Sequence, residues 1–387
     1  MGSGIILFDF ETNSDAPVSI ADDDKIYFEK FRMKNTVFEV TEKDNQLSTL
    51  KADVVEEITP GKKLYSLINP KANTLDKDKK INIVSKKGQY DQNKQELYVE
   101  SDVVANYNNQ MEIKTNSATY NFKNEYGFGN EHVTGNGEKG YFEANKFTYD
   151  KKKGIVTLLN NVYMKSGDTE LKSPDKALLF LEENKFISTN ANIKKANDTL
   201  SSDEITVFFK DTKNFDVTKA FSKGNTKIYS KGKKAFGDRG EYNADNGLIK
   251  LFDNVKIVDG SGYIATANIG IYDSKKNTFT LENNVVINKG SNTVTAPKAI
   301  YFTNKEEFRF YDNVKVIQDG GVATAKHGVY YIKKNLAELE NQVVITKDGN
   351  VVRGDKAISD FNTSKSRLIA KNGGRISGKL IEKTLKK

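Results

Sequence analysis

The sequence predicts an all-β chain built from one antiparallel motif stacked on itself many times. Three observations carry that prediction. A motif of about thirty residues recurs, with Val255, Val285, Val314 and Val343 spaced 30, 29 and 29 positions apart. Apolar and polar residues alternate with period two inside each copy. Gly, Asn and Asp punctuate short runs of Val, Ile, Tyr, Phe and Thr, Pro is scarce at 5 of 387 residues, and no long helical periodicity appears.

The sharpest copies run Leu251-Phe252-Asp253-Asn254-Val255-Lys256-Ile257, Leu281-Glu282-Asn283-Asn284-Val285-Val286-Ile287, Phe310-Tyr311-Asp312-Asn313-Val314-Lys315-Val316 and Leu339-Glu340-Asn341-Gln342-Val343-Val344-Ile345. Alternation places Leu251, Val255 and Ile257 on one side, and likewise Leu281, Val285 and Ile287. Asp or Asn inside this apolar face predicts a bend, so that one strand contributes to two sheets. Upstream, the landmark falls on Thr226, Ile193, Val162, Val133 and Val103, at intervals of 29, 33, 31, 29 and 30. The longer intervals predict an insertion or bulge within residues 162–226, and Asn69-Pro70 marks a further copy.

A second signature places a small residue two positions before an aromatic: Gly88 with Tyr90, Ala118 with Tyr120, Gly240 with Tyr242, Gly270 with Tyr272, Ala299 with Tyr301 and Gly328 with Tyr330. With Tyr149, these tyrosines read as a ladder that steadies neighbouring strands. Lining a groove or stacking on sugars is the alternative. Gly127-Phe128-Gly129 and Gly135-Asn136-Gly137 lack the strand-to-helix setting of a phosphate loop and read as turns.

Composition excludes several functions. Without Cys there are no disulfides or thiolate metal sites, and His132 and His327, the two histidines, lie in different copies. No metal site, cofactor or catalytic residue is expected. Paired carboxylates such as Glu182-Glu183 and Glu306-Glu307 fall at turns and read as solvated charge. The net charge of +8 combines an acidic lead, with six acids and no base in residues 1–24, and a basic body. Such a body suits an anionic partner or simply solubilises strand edges. The lysines are dispersed and no recognition motif accompanies them, so no nucleic-acid partner is expected. The apolar run Ile5-Ile6-Leu7-Phe8 is too short to span a bilayer.

The unit Asn-Val-x-Ile/Val, a Gly turn, small-x-Tyr-Asp and Phe/Leu-x-Leu resembles the OstA-type repeat of the lipopolysaccharide-transport bridge proteins. Residues 164–387 resemble the LptA component, most clearly from Asp253 onward. Residues 26–163 resemble LptC through Lys87-Gly88-Gln89-Tyr90-Asp91, Leu97 to Tyr107, and Glu131-His132-Val133-Thr134-Gly135-Asn136-Gly137. The resemblance implies an elongated, V-shaped antiparallel β-jellyroll whose groove holds the acyl chains of lipopolysaccharide. It implies a periplasmic, non-enzymatic bridge served by an inner-membrane ABC transporter. An outer-membrane translocon would be met through the C-terminal edge strand, and copies would associate head to tail. Anchoring to the inner membrane would come from a segment outside this chain.

The expected organisation is an acidic lead over 1–25, an LptC-like domain over 26–163, an LptA-like domain over 164–376 and a basic tail over 377–387. The groove candidates are Val103, Val133, Val162, Leu251, Val255, Ile257, Leu281, Val285, Ile287, Phe310, Val314, Val316, Leu339, Val343 and Ile345. From the residues alone such a row serves a closed, dry core as well as a groove. A secreted β-solenoid that binds or degrades polysaccharide and a structural adhesin remain alternatives.

Overall fold

The computed structural model describes residues 31–41, 47–76, 78–138, 140–211, 215–230, 232–258, 262–273, 275–363, 365–370 and 375–379. Residues 26–30 of the expected opening strand, the acidic lead and residues 380–387 of the basic tail lie outside them. The described residues form strands joined by turns, bends and short irregular links, and their strand pairings are antiparallel. The chain divides into two compact units, Met1–Ala191 with Val207–Val217 and Asn192–Thr206 with Thr218–Lys387. Each unit is an antiparallel β-jellyroll.

The bend has a direct backbone cause. Asp253 and Asn254 both sit in the left-handed region, at φ 60° and 50°, and so do Asn283/Asn284, Asp312/Asn313 and Asn341/Gln342. Asn and Asp tolerate this region because a short polar side chain can bond locally. Two such residues in succession carry the strand round a corner, and pairing skips them: the register jumps between Phe252 and Val255, and between Glu282 and Val285. Parity survives, because the corner contains an even number of residues. Leu251 and Val255 therefore both face inward while Asp253 and Asn254 are exposed. Ser101/Asp102 and Asn160/Asn161 take the same conformation ahead of Val103 and Val162.

Each long strand thus has a valine arm and a tyrosine arm on either side of its corner, and in the first unit short strands such as Tyr126–Gly129 and Val133–Asn136 supply one arm each. On the tyrosine arm of the second unit the inward row is Leu251, Gly270, Leu281, Ala299, Phe310, Gly328, Leu339 and Ala357, each paired with the next. Large and small alternate, so every large side chain has room above a small one. On the valine arm Val255 faces Ala267, Val285 faces Ala296, Val314 faces Ala325 and Val343 faces Gly354. Apart from the glycines, these residues join one buried cluster. Outer faces carry cross-strand ion pairs such as Lys298 with Glu282 at 2.8 Å.

The small-x-Tyr signature ends each tyrosine arm. Tyr272 stacks on Phe279 with ring centroids 5.0 Å apart, and Tyr301 on Phe308 at 4.6 Å. The polar residue after the aromatic closes the turn: Asp273 Oδ1 accepts from the amides of Lys275 and Lys276, and Asp150 Oδ1 from that of Lys153. Amide donation from Lys276 holds the Asp273 carboxyl below the usual carboxylate range.

Two expectations are corrected. The corner before residue 193 is at Asn190, so Ala191, buried, takes the landmark place and Ile193 lies only half-buried. Gly127, Gly129 and Gly135 are strand residues, within Tyr126–Gly129 and Val133–Asn136, and not turns. Each lacks a side chain because an aromatic lies over it. A Cβ on Gly129 would stand 2.3 Å from the Phe147 ring, and one on Gly135 2.1 Å from that of Phe142.

Candidate functional site

The first unit holds an apolar cavity of about 120 Å³. Both arms line it. Ile81, Ile83, Val103, Ala105, Met111, Ile113, Val133 and Phe142 come from the valine arm, and Tyr120, Phe147, Tyr149, Leu158, Leu179 and Leu181 from the tyrosine arm. No charged side chain lines it, so it offers dispersion contacts and desolvation without any ionic partner. A pocket of this size compares with an engineered apolar cavity of about 150 Å³ that stays dry and binds benzene. It therefore admits a short stretch of hydrocarbon as it stands, and a longer chain requires the arms to part.

Its shape follows from local sequence. Val103 and Val133 both pair with Thr115, so three short β-branched residues stand side by side and leave depth beneath them. Gly135 lets the Phe142 ring fold flat against the sheet, and Gly129 does the same for Phe147. The tyrosine arm contributes ring faces: Tyr120 meets Phe122 edge-on with centroids 5.1 Å apart. Deeper in the unit, Tyr90 packs on Phe38 at 5.1 Å. Its hydroxyl is raised to about 12, first by burial and then by the nearby charge of Asp91 and by Tyr65.

Of the sequence-derived candidates, Val103 and Val133 line this cavity. Val162 is buried in the same unit but is not among the lining residues. Leu251, Val255, Ile257, Leu281, Val285, Ile287, Phe310, Val314, Val316, Leu339 and Val343 are brought together as the buried core of the second unit, with Ile345 packed against them half-buried. Phe142, Phe147, Leu179 and Leu181 were not among the candidates. The glycines paired across the strand from aromatics, Gly135 with Phe142 and Gly129 with Phe147, are the sequence signal that finds the first two.

The fold and the cavity define an antiparallel β-jellyroll with an apolar compartment between the two arms of its first unit. Comparison with known proteins gives its family. The profile described as "Lipopolysaccharide-assembly, LptC-related" matches residues 1–166, and that described as "LptA/(LptD N-terminal domain) LPS transport protein" matches 175–270 and 266–365. The chain belongs to the lipopolysaccharide-transport bridge proteins, with an LptC-related N-terminal part fused to an LptA-like part. Among solved structures, LptH of Pseudomonas aeruginosa, described as the LptA homologous periplasmic component of the lipopolysaccharide transport device, is similar at 17% identity and a TM-score of 0.29. The match covers 31% of this chain and 95% of LptH. No curated protein matches. The bridge proteins of this family are periplasmic, bind lipopolysaccharide and are not enzymes. No helix among the described residues is long and apolar enough to cross a membrane.

Proposed function

We propose that this chain carries lipopolysaccharide by its acyl chains, beginning in the cavity lined by Val103 and Val133 and continuing along the inward row from Leu251 to Ile345. The observation that supports it is the cavity itself: a space lined without charged side chains by residues of both arms. The second unit offers the same row in packed form. Its large-small alternation repeats from one strand to the next, so a chain inserted between the arms meets an equivalent surface at every step. Movement along such a row changes little in energy from step to step, which is what a passive conduit needs.

In this reading the LptC-like domain over 26–163 receives lipid from an inner-membrane ABC transporter and the LptA-like domain over 164–376 passes it on. The strands Lys365–Ile369 and Ser377–Lys379 both pair with Asn350–Asp360, and they present the C-terminal edge to an outer-membrane translocon or to a further copy head to tail. The test is a native mass spectrum of the purified chain with and without lipopolysaccharide. The account expects a retained mass increment of one lipid, and self-assembly without lipid uptake would overturn it.

A further inference from the structure

A cleft of about 220 Å³ opens on the outer face of the second unit. Phe221, Lys223, Arg239 and Glu241 line it; they are exposed and alternate with Ser222 and Gly240, which are buried on the inward side. Glu204 and Phe252 complete the lining, from the strands Asp198–Phe209 and Leu248–Val258. The register sets Phe221 opposite Glu241 and Lys223 opposite Arg239, and Arg239 faces Phe252 on its other side. Lys223, Arg239 and Phe252 are each the last paired residue beside a corner. On the outside of such a bend neighbouring side chains fan apart, which gives the cleft its depth.

The cleft differs from the rest of this outer face in how its charges are used. The outward row that contains Phe252 continues along the stack and closes on itself. Lys298 pairs with Glu282 at 2.8 Å, Lys356 pairs with Glu340 at 3.0 Å, and the rings of Tyr311 and His327 meet edge-on. By contrast, the side chains of Glu204, Lys223 and Glu241 make no hydrogen bond or ion pair among the described residues. Arg239 is held in place: its Nε donates to Asp253 Oδ2 at 2.9 Å, and its guanidinium lies 5.4 Å from the centre of the Phe252 ring. Phe221 has a contact of its own and still keeps 41% of its surface exposed.

This set of groups selects by exclusion. Two acids and two bases line the cleft, so neither an anion nor a cation is favoured there. A hydrocarbon would strip water from Glu204, Lys223 and Glu241 without replacing it. A neutral ring rich in hydroxyls meets every part. Each hydroxyl both donates and accepts, so it gives to Glu204 or Glu241 and receives from Lys223 or Arg239, while the C–H face of the ring lies on Phe221. We propose that this cleft binds a neutral pyranose of an oligosaccharide. The ligand lies on the side of the sheet opposite the buried row, so the site is separate from any acyl path and does not rest on the carrier reading. The same chemistry is offered by the glycan of lipopolysaccharide and by the glycan strands of the cell wall.

The test titrates the full chain with two labelled, lipid-free glycans, one released from lipopolysaccharide and one prepared from cell-wall strands freed of peptide. Fluorescence anisotropy is read for the wild type, Phe221→Ala, Phe221→Tyr, Glu241→Ala and the exposed control Lys315→Gln. The wild type is expected to bind at least one glycan, and the one it binds identifies the source. Phe221→Ala and Glu241→Ala are each expected to weaken that binding about tenfold. Phe221→Tyr, which keeps the ring, and Lys315→Gln bind as the wild type does. A neutral methyl glycoside at high concentration displaces the labelled glycan. A wild type that binds neither glycan, or wild-type affinity in either alanine variant, overturns the proposal. Displacement by inorganic phosphate or a basic peptide but not by the glycoside also overturns it, and assigns the cleft to an ion or a protein. None of these outcomes touches the carrier reading, which the mass spectrum with lipopolysaccharide decides separately.

Discussion

Gly270 lies directly beneath Val255: a Cβ built on Gly270 would stand 2.9 Å from Val255 Cγ1. The two belong to paired strands on either side of a corner, and the valine that marks each repeat packs down onto the residue two places before the tyrosine. The two sequence signatures are thus halves of one contact. Gly270→Ala should destabilise the chain by about 1–3 kcal/mol through overpacking. Gly328→Ala, where the nearest atoms would lie at 3.1 Å on the flexible end of Leu339 and 3.3 Å on Val314, should cost less. Urea unfolding of the two variants gives the order.

The corner itself is testable at Asn283 and Asn284, at φ 63° and 58°. A β-branched residue cannot take this conformation cheaply, whereas glycine can. Asn284→Val should cost about 1–2 kcal/mol, and Asn284→Gly should lie within about 0.5 kcal/mol of the wild type. Equal losses for both would mean that the side chain, and not the backbone conformation, makes the corner.

Tyr90 gives a pH signature. Its folded pKa of about 12 lies above the ordinary tyrosine value of 10.0, chiefly through burial. The folded state therefore keeps a proton that the unfolded chain releases. The stability is fully present below pH 10 and is lost as pH rises towards 12, by about 2–3 kcal/mol. Tyr90→Phe should remove that component from the alkaline unfolding profile, measured by denaturant midpoint against pH.

Filling the cavity separates a ligand site from a packing defect. Ala105 lines it, and Ala105→Leu adds bulk where space already exists. The variant should gain up to about 1 kcal/mol in unfolding free energy and bind lipid several-fold more weakly. Gain in stability with unchanged lipid binding would assign the lipid elsewhere.

Much of this architecture was legible before the structure. The period-two rows, the Asn and Asp pairs at the corners and the small-x-Tyr ends are local patterns, and Leu251, Val255 and Ile257 share an inward face because the corner preserves parity. The shifted landmark at Ala191 was missed because an asparagine corner followed by alanine leaves no large aliphatic to see. The cavity was only half legible. Val103 and Val133 follow the repeat, but Phe142 and Phe147 reach it over glycines that look like turn residues when read along the chain. The contact between Lys151 and Thr74 was not legible at all, because the two are 77 residues apart and meet only when the two arms face each other.

Site-specific photo-crosslinking tests the central claim, that the inward row is the lipid path. Probes at Val103, Val133, Val255 and Val285 sample the row in both units, and probes at Lys256 and Lys315 sample exposed positions of opposite parity. With lipopolysaccharide added, the account predicts labelling at the four valines and none at the two lysines. Equal labelling on both faces, or none at the valines in a chain that binds lipid, would contradict it.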